Sequence, residues 1–300
     1  TTTGGYNTAM GREALKYNTT GQFNVAMGRT SLTSNTTGAY NVAIGYTALN
    51  AATTASTNTA VGSQAGEKIT TGPNNVLVGN KAGANMTTGD NNTAVGPFAM
   101  GDGTTTGGTN TAIGYAALYS LSSGSDNLAL GRDAGRSGSP GGEVTTGSYK
   151  VSVGGSNINS ANIQVDWTVA SDARDKTDFT ALDLGLDFVN ALAPVTYKWD
   201  KRANYGDKYA EGYDLNAQTP DGTHKEDWLD IGFKAQEVEA LEIAAGYNKS
   251  NSTNLVSSHS DDGKQMGLQY SKFVPILVKA MQEQTAVIAA LTARITTLEG

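Results

Sequence analysis

The sequence predicts a mainly β protein in which a β-solenoid of 17-residue coils precedes a small α+β domain ending in a long coiled-coil helix. Three observations predict it. A short pattern recurs at a constant step through the first half, the net charge is confined to the second half, and residues 271–299 show heptad spacing of apolar side chains. A composition of 37 Gly and 7% aromatic residues is poor material for one large globular core.

The repeat is an Asn-x-Ala-x-Gly pattern with few departures. It begins at Asn7 and recurs every 17 residues as far as Asn92, then at Asn110 and Asn127, with a weaker copy ending at Gly154 after an insertion. Thr-Thr-Gly triplets keep the same step. Two markers in fixed phase predict stacked coils. The alternative, a low-complexity linker, gives no reason for a constant register.

Each copy contains two apolar patches. In the third copy, Val42 and Ile44 alternate with Ala43, and residues 48–49 form a second patch after Gly45. This pattern predicts two short strands joined by a glycine at positive φ. A coil this slim cannot bury its own apolar face, so we expect it to depend on stacked neighbours and on sister chains.

Charge and composition exclude several functions. Residues 1–170 contain eight Lys/Arg and eight Asp/Glu, whereas residues 171–300 contain 13 and 20 and carry the whole net charge of −7. Nucleic-acid binding needs clustered basic residues, so it is not expected. Cysteine is absent, which suits assembly in a reducing cytoplasm. No apolar run is long enough to predict membrane insertion or an export signal.

The second half predicts a helix followed by a strand, and then a strand followed by a helix. The first helix breaks at Pro194 before a strand at residues 195–199, and the second strand runs through Ile231 and Phe233. The apolar helix faces consist of Leu184, Phe188 and Leu192, and of Ala235, Val238 and Leu241. Between them, residues 201–226 form a polar insertion with turn signals.

Residues 271–299 predict a helix, with Ser271 as its N-cap and Pro275 in its first turn. The heptad a positions are Val274, Met281, Ile288 and Ile295, and the d positions are Leu277, Gln284, Leu291 and Leu298. Gln284 is the one polar core position and is expected to set the register. The a and d residue types alone favour a dimer. The alternative is a helix packed on its own domain.

Two resemblances extend this interpretation. Residues 5–155 resemble the head repeats of trimeric autotransporter adhesins, which implies a β-roll shared by three chains. In the second half, four ordered motifs resemble the intramolecular chaperone family of endosialidase tailspikes and phage tail fibres. They are SDARDK (171–176), LAPVTYKW (192–199), IGFKAQEVEAL (231–241) and YSKFVPILVKAMQEQ (270–284). The chain then divides into a fibre shaft (1–155), a junction (156–170) and a chaperone domain (171–300) ending in the coiled coil 271–299.

The chaperone resemblance implies a phage tail fibre or tailspike segment whose C-terminal domain drives trimerisation and is released by autoproteolysis between Ala170 and Ser171. It implies Ser171 as nucleophile and Lys176 as base, with Asp172 and Arg174 in support. Arg174 either lowers the pKa of Lys176 as a nearby cation or clamps a carboxylate. We expect residues 162–167 and the finished coils to press the cleavage loop into a drier setting, which lowers the lysine pKa.

The expected partners are two further copies of the chain, other tail proteins and a host cell-surface receptor, for which a glycan is one candidate. The expected location is the virion tail fibre, assembled in the host cytoplasm. No cofactor or metal is expected, because His224 and His259 stand isolated in the sequence and residues 261–263 are typical of a turn. The alternative function is a trimeric surface fibre with a C-terminal cap that does not cleave, in which SDARDK is a solvated, salt-bridged linker.

Overall fold

The computed structural model describes residues 3–158, 160–162, 164, 168–210, 212–251 and 253–299. The chain forms two compact units. The first comprises Thr1–Ile158, Lys201–Asp221 and Ser260–Gln265, and the second comprises Asn159–Asp200, Gly222–His259 and Met266–Gly300. Two segments of the C-terminal half therefore belong to the same unit as the repeats.

The first unit is a β-solenoid with nine parallel strands in chain order, one from each coil. The strands β1–β9 are Thr8–Met10, Val25–Met27, Val42–Ile44, Thr59–Val61, Val76–Val78, Thr93–Val95, Thr111–Ile113, Leu128–Leu130 and Val151–Val153. Equivalent residues of successive coils pair directly, as Ala26 does with Ala43. The predicted solenoid of 17-residue coils is confirmed.

The repeated asparagine forms a ladder inside the solenoid. The Asn24 side-chain oxygen accepts hydrogen bonds from the backbone N–H of Asn41 at 2.9 Å and from its side-chain amide at 3.1 Å. The Asn41 amide also donates to the carbonyl of Ala55 at 2.8 Å. Because buried polar groups must be paired, this bonding pattern accounts for asparagine at every step of the repeat.

Each strand turns its middle residue inward. Ala43 is fully buried, whereas Val42 and Ile44 on either side point outward and are half-buried. The following Gly45 has φ of +137°, and a Cβ there would lie 2.3 Å from the carbonyl oxygen of Gly62 in the next coil. The predicted glycine at positive φ is therefore required by both conformation and space.

The prediction of two strands per coil is wrong. Ala48 and Leu49 are buried as expected, but they lie in a turn in which Thr47 and Leu49 adopt left-handed backbone conformations, with φ of +52° and +50°. Alternating left-handed residues bend the chain sharply enough to close a coil within a few residues. Stacking supports this unfavourable backbone, since the Leu49 N–H donates to the carbonyl of Ala65 at 3.0 Å.

Two coils depart from the 17-residue step: the coil from Asn92 to Asn110 has one extra residue, and the coil that follows Asn127, the irregular coil, has several. Lys150 takes the place of the next ladder asparagine, and its backbone N–H donates to the Asn127 side chain. It lies 23 residues beyond Asn127 instead of 17. The extra residues include the stretch 137–142, which runs through several glycines. Both C-terminal segments of the first unit contact this coil, as described below.

The second unit is a small α+β arrangement. Its elements are α1 (Leu186–Ala191), β10 (Val195–Tyr197), β11 (Asp230–Gly232), α2 (Ala235–Ala244), β12 (Ser257–His259), β13 (Met266–Leu268) and α3 (Phe273–Glu299). Strand β10 pairs with β11 and β12 with β13, both antiparallel. The buried core consists of Leu184, Phe188, Val238, Val256, Phe273 and Ile276. The predicted order of helices and strands is confirmed.

Helix α3 is buried only near its start, at Phe273, Ile276 and Ala280. All eight predicted heptad core positions are exposed in the single chain. The predicted N-cap is wrong, because Ser271 lies inside a 3-10 turn (Tyr270–Lys272) that leads into the helix. Although the sequence predicts no membrane insertion, Tyr270–Glu299 is long enough to cross a membrane and contains an 18-residue window with a mean hydropathy of 1.2. One such helix is weak evidence for a membrane.

Candidate functional site

The SDARDK motif folds into a tight local turn. Residues Ala173–Asp175 form a single 3-10 turn, and Asp172 caps its start by accepting a hydrogen bond from the Arg174 backbone N–H at 2.9 Å. A short capped turn of this kind returns the chain on itself within a few residues. It leaves Ser171 before the turn and Lys176 after it.

The structure brings together the two residues predicted to cut the chain. The Lys176 ammonium donates a hydrogen bond to the Ser171 hydroxyl at 2.7 Å. The bond predicted to break, Ala170-Ser171, immediately precedes this contact. A lysine becomes a general base only after it loses its proton, and burial favours that loss. Residues 168–181 are all exposed, however, so the single chain does not supply that burial.

Arg174 clamps a carboxylate, which is one of the two roles that the sequence left open. Its Nε and NH2 atoms donate to the Asp172 carboxylate, the shortest contact being 2.6 Å. These side-chain hydrogen bonds, followed by the Arg174 backbone N–H, hold the pKa of Asp172 below its ordinary value. The positive charge of Arg174 is thus compensated locally, which weakens its predicted effect on Lys176.

The drier setting predicted for the cleavage loop is not present in the single chain. The coils are wound as far as Val151–Val153, yet Lys176 remains exposed. The predicted contribution of residues 162–167 lies largely outside the described residues, which omit 163 and 165–167. If Lys176 is desolvated, groups beyond those seen around it here must be responsible.

The histidines are not isolated. His259 Nε2 lies 2.5 Å from a carboxylate oxygen of Glu239, and His224 also has an interaction partner. Residues 261–263 lie in a turn, in which Asp262 accepts a hydrogen bond from the Lys264 backbone N–H at 3.0 Å. Within the described parts of the chain, no group of three or more His, Asp or Glu side chains could hold a metal ion.

Glu242 is an important residue that the sequence analysis did not single out. It lies on α2, is fully buried, and accepts backbone hydrogen bonds from Leu255, Val256 and Ser257. The available signal was its position four residues after Val238, on the apolar face of the helix. A carboxylate at such a position implies that hydrogen-bond donors surround it.

The parallel stack of coils and the α+β elements define a repetitive β-solenoid protein with a second compact unit built from most of the C-terminal half. Residues 171–247 match the family model described as "Chaperone of endosialidase", a peptidase family known for self-cleavage. This match and the solenoid fit an endosialidase-type chaperone C-terminus, as the motifs predicted. The match begins at Ser171 and includes three of the four motifs. Searches of curated proteins and of solved structures returned no match.

Proposed function

We propose that this chain is part of a phage tail fibre or tailspike in which the C-terminal chaperone region aligns three chains, directs winding of the solenoid, and is then cut off between Ala170 and Ser171. The observation that carries the proposal is the contact between Lys176 and Ser171 at the first residue of the chaperone match. The remaining partners on this proposal are other tail proteins and a host receptor.

An apolar row along the solenoid supports trimerisation. The third residue of each strand points outward, is apolar in every coil and is never fully buried. The row comprises Met10, Met27, Ile44, Val61, Val78, Val95, Ile113, Leu130 and Val153. A continuous apolar surface of this length is typical of an interface. A surface with the repeat period of the coils is matched best by further copies of the same chain.

Helix α3 provides a second contact between chains. Its heptad core positions are exposed from Val274 to Leu298, whereas Phe273, Ile276 and Ala280 anchor its start to the second unit. The alternative of a helix packed along its length on its own domain is therefore disfavoured. An exposed heptad seam supports a coiled coil that holds the chains parallel and in register while the coils form.

The proposed cleavage balances with water as the co-reactant. The Ser171 hydroxyl oxygen attacks the carbonyl carbon of Ala170, and Lys176 accepts the hydroxyl proton. The peptide nitrogen of Ser171 leaves as an amine, taking a proton, so that an ester links Ala170 to the serine oxygen. Water then hydrolyses the ester. The products are a shaft ending in the Ala170 carboxylate and a chaperone fragment beginning with the Ser171 amine.

Assembly is the proposed trigger. Because the loop at 168–181 is exposed in one chain, we place the desolvation of Lys176 at the stage when sister chains close around the junction. Cleavage then occurs after winding rather than before it. Loss of the chaperone makes any later unwinding hard to reverse, because the element that aligned the chains has gone.

Two measurements test this function. The purified full-length protein should run as two fragments, and the smaller one should begin at Ser171 by mass spectrometry. A folded trimer that stays uncut supports the second candidate, a permanent cap, which is favoured by the exposure of Lys176. In the second measurement, residues 1–170 are expressed alone. Soluble, protease-resistant trimers in good yield from that fragment contradict a chaperone role.

A further inference from the structure

The constant step of the repeat creates an alignment problem. Because the coils are nearly identical, three chains shifted by one coil lose little contact, and the error is close to isoenergetic. Something must therefore mark one coil as different. The irregular coil differs from the rest, and residues 201–221 of the chaperone region pack on it within the first unit.

A buried ion pair lies at the centre of this contact. Asp133, on the irregular coil, has a side chain only 5% exposed, and the Lys208 ammonium donates to its carboxylate at 2.9 Å. The neighbouring Tyr209 hydroxyl donates to the same carboxylate at 3.1 Å. The Tyr209 hydroxyl in turn accepts a hydrogen bond from the Arg132 side chain at 2.9 Å. A buried carboxylate with these partners is specific for a cation at one position.

Arg136 forms the second half of the contact. Its guanidinium carbon lies 4.4 Å from the ring centre of Tyr119, in the preceding coil, and 4.5 Å from that of Tyr209. It also donates to the carbonyl of Lys208 at 2.9 Å. The guanidinium is therefore held between an aromatic ring of the shaft and one of the chaperone segment. For the segment to dock, Tyr209 must lie over Arg136 and Lys208 must reach Asp133 at the same time.

The contact also leaves no room for a side chain at one glycine of the irregular coil. Gly138 lies in the extra stretch with φ of +83°, and a Cβ there would lie 2.4 Å from the Cβ of Ala203. The turn at 260–265 adds a further contact, in which Asp262 accepts a hydrogen bond from the Glu143 backbone N–H at 3.2 Å. Both chaperone segments thus fit the irregular stretch itself.

The pair Asp133 and Arg136 does not recur in the adjoining coils. The first coil has an acid and a base at the equivalent positions, Glu13 and Lys16, but it lies at the opposite end of the stack. The coils between carry Thr30 and Thr33, Thr47 and Asn50, Gln64 and Glu67, Lys81 and Ala84, Phe98 and Gly101, and Ala116 and Tyr119. A shift by one coil would place Lys208 against Ala116, which leaves a desolvated ammonium without a carboxylate.

We propose that residues 201–221 set the register of the shaft by binding specifically to the coil that carries Asp133 and Arg136. This binding determines which coil lies next to the chaperone region in each chain. This inference rests on the proposed chaperone function and adds the element through which it acts. With each chain gripping the same coil, alignment of the chaperone regions also aligns the coils.

The experiment uses full-length protein and digestion with a broad-specificity protease. A shifted chain leaves an unpaired coil at the end of the assembly, which the protease removes, so intact mass reports shifts as losses in steps of 17 residues. The variants are Lys208→Met, Asp133→Asn and the double variant. The matched controls are Lys225→Met and Asp126→Asn, which change exposed side chains of the same types.

We expect each single variant to raise the shortened fraction about tenfold, the order expected for losing one charge-assisted hydrogen bond. The double variant should be no worse than the worse single, because each single variant already breaks the hydrogen bond between Lys208 and Asp133. Single variants that match wild type overturn the proposal. Single effects that add in the double variant, or variants with no folded shaft, also overturn it.

A failure of the proposed function is distinguishable from a failure of register reading. If residues 1–170 alone yield the single wild-type product, the chaperone function itself fails. If that fragment misfolds while the Lys208 and Asp133 variants behave as wild type, the function stands and register reading is wrong.

Discussion

The Glu242 carboxylate accepts a hydrogen bond from the backbone N–H of Val256 at 2.6 Å, and both residues are fully buried. The same carboxylate accepts from the N–H groups of Leu255 and Ser257, at 2.8 and 3.0 Å. It therefore joins α2 to the chain that enters β12. One side chain satisfies three backbone donors that have no strand partner at that point.

Replacing Glu242 should destabilise the second unit strongly. Glu242→Ala leaves three buried N–H groups unpaired, each costing about 1 to 3 kcal/mol, so a loss of about 3 kcal/mol or more in unfolding free energy is expected. Glu242→Gln keeps one acceptor oxygen and should cost less. Urea unfolding followed by tryptophan fluorescence measures both. The exposed Glu237→Gln is the control, and equal midpoints for Glu237→Gln and Glu242→Ala contradict the assignment.

Removing one asparagine of the ladder should lower the free energy of unfolding of the shaft. Asn58→Ala takes the acceptor from the Asn75 backbone N–H, bonded at 2.9 Å, and the donor from the Gly72 carbonyl, bonded at 3.0 Å. Both groups are buried, so the shaft should lose about 2 to 4 kcal/mol. Asn80→Ala, at an exposed position, should cost less than 1 kcal/mol. Thermal unfolding by circular dichroism compares them, and similar midpoints would argue against the ladder as a source of stability.

Glu283 predicts a pH dependence for the second unit. The backbone N–H of Leu186, and then the Lys279 side chain, hold the pKa of Glu283 below its ordinary value of 4.5. A lowered carboxylate pKa contributes stability that is present above 4.5 and is lost as the pH falls through the folded-state value. Wild type should therefore lose more stability than Glu283→Gln between pH 7 and pH 3, measured as urea midpoints. Equal losses would show that the hydrogen bond from the Leu186 N–H to Glu283 does not contribute to stability.

The outward apolar row predicts where assembly can be broken. Val78→Asp with Val95→Asp places two charges in the row in adjacent coils and leaves the buried middle residues of those strands, Leu77 and Ala94, unchanged. We expect a smaller mass by light scattering, because a desolvated charge opposes association. Thr71→Asp with Thr88→Asp puts the same charges at the same spacing on exposed positions outside the row. A trimer that survives the first pair and not the second would place the interface elsewhere.

Cleavage should depend on the contacting pair in the SDARDK turn. Ser171→Ala removes the nucleophile and Lys176→Ala removes the base, so both should abolish the fragment of residues 171–300 while trimers still form. His224→Ala and His259→Ala should leave cleavage unchanged. His259→Ala also removes the contact with Glu239, which lies outside the SDARDK turn. Gel electrophoresis and mass spectrometry measure the fragments. A Ser171→Ala chain still cut after Ala170 would refute the mechanism.

The sequence was sufficient to predict the coil length, the strand positions and the glycine between patches, because a periodic marker fixes what recurs. It could not predict how the second patch folds. Thr47 and Leu49 are poor candidates for left-handed backbone, and only stacking between coils outweighs that preference. Nor does alternation alone say that Ala43 is inside and Ile44 outside, since this depends on the width of the closed coil.

Of the functional contacts, the sequence was sufficient to predict the local one but not the long-range one. The turn that joins Ser171 to Lys176 is local and short, so spacing alone was informative. The contact between Asp133 and Lys208 joins residues that are 75 positions apart, and no periodicity relates them. The signal that was available is the departure from the repeat, because an Asp and an Arg appear together in the longest coil.

The stacking of coils through backbone hydrogen bonds also determines the mechanical behaviour of a single shaft. Those bonds run along the axis, from the Val42 N–H to the Asn58 carbonyl and again at each coil, so tension along the axis loads the junctions between coils in series. Each junction then carries the full force. Lengthening the shaft adds extension but no resistance, and rupture begins at whichever junction has the fewest or weakest bonds.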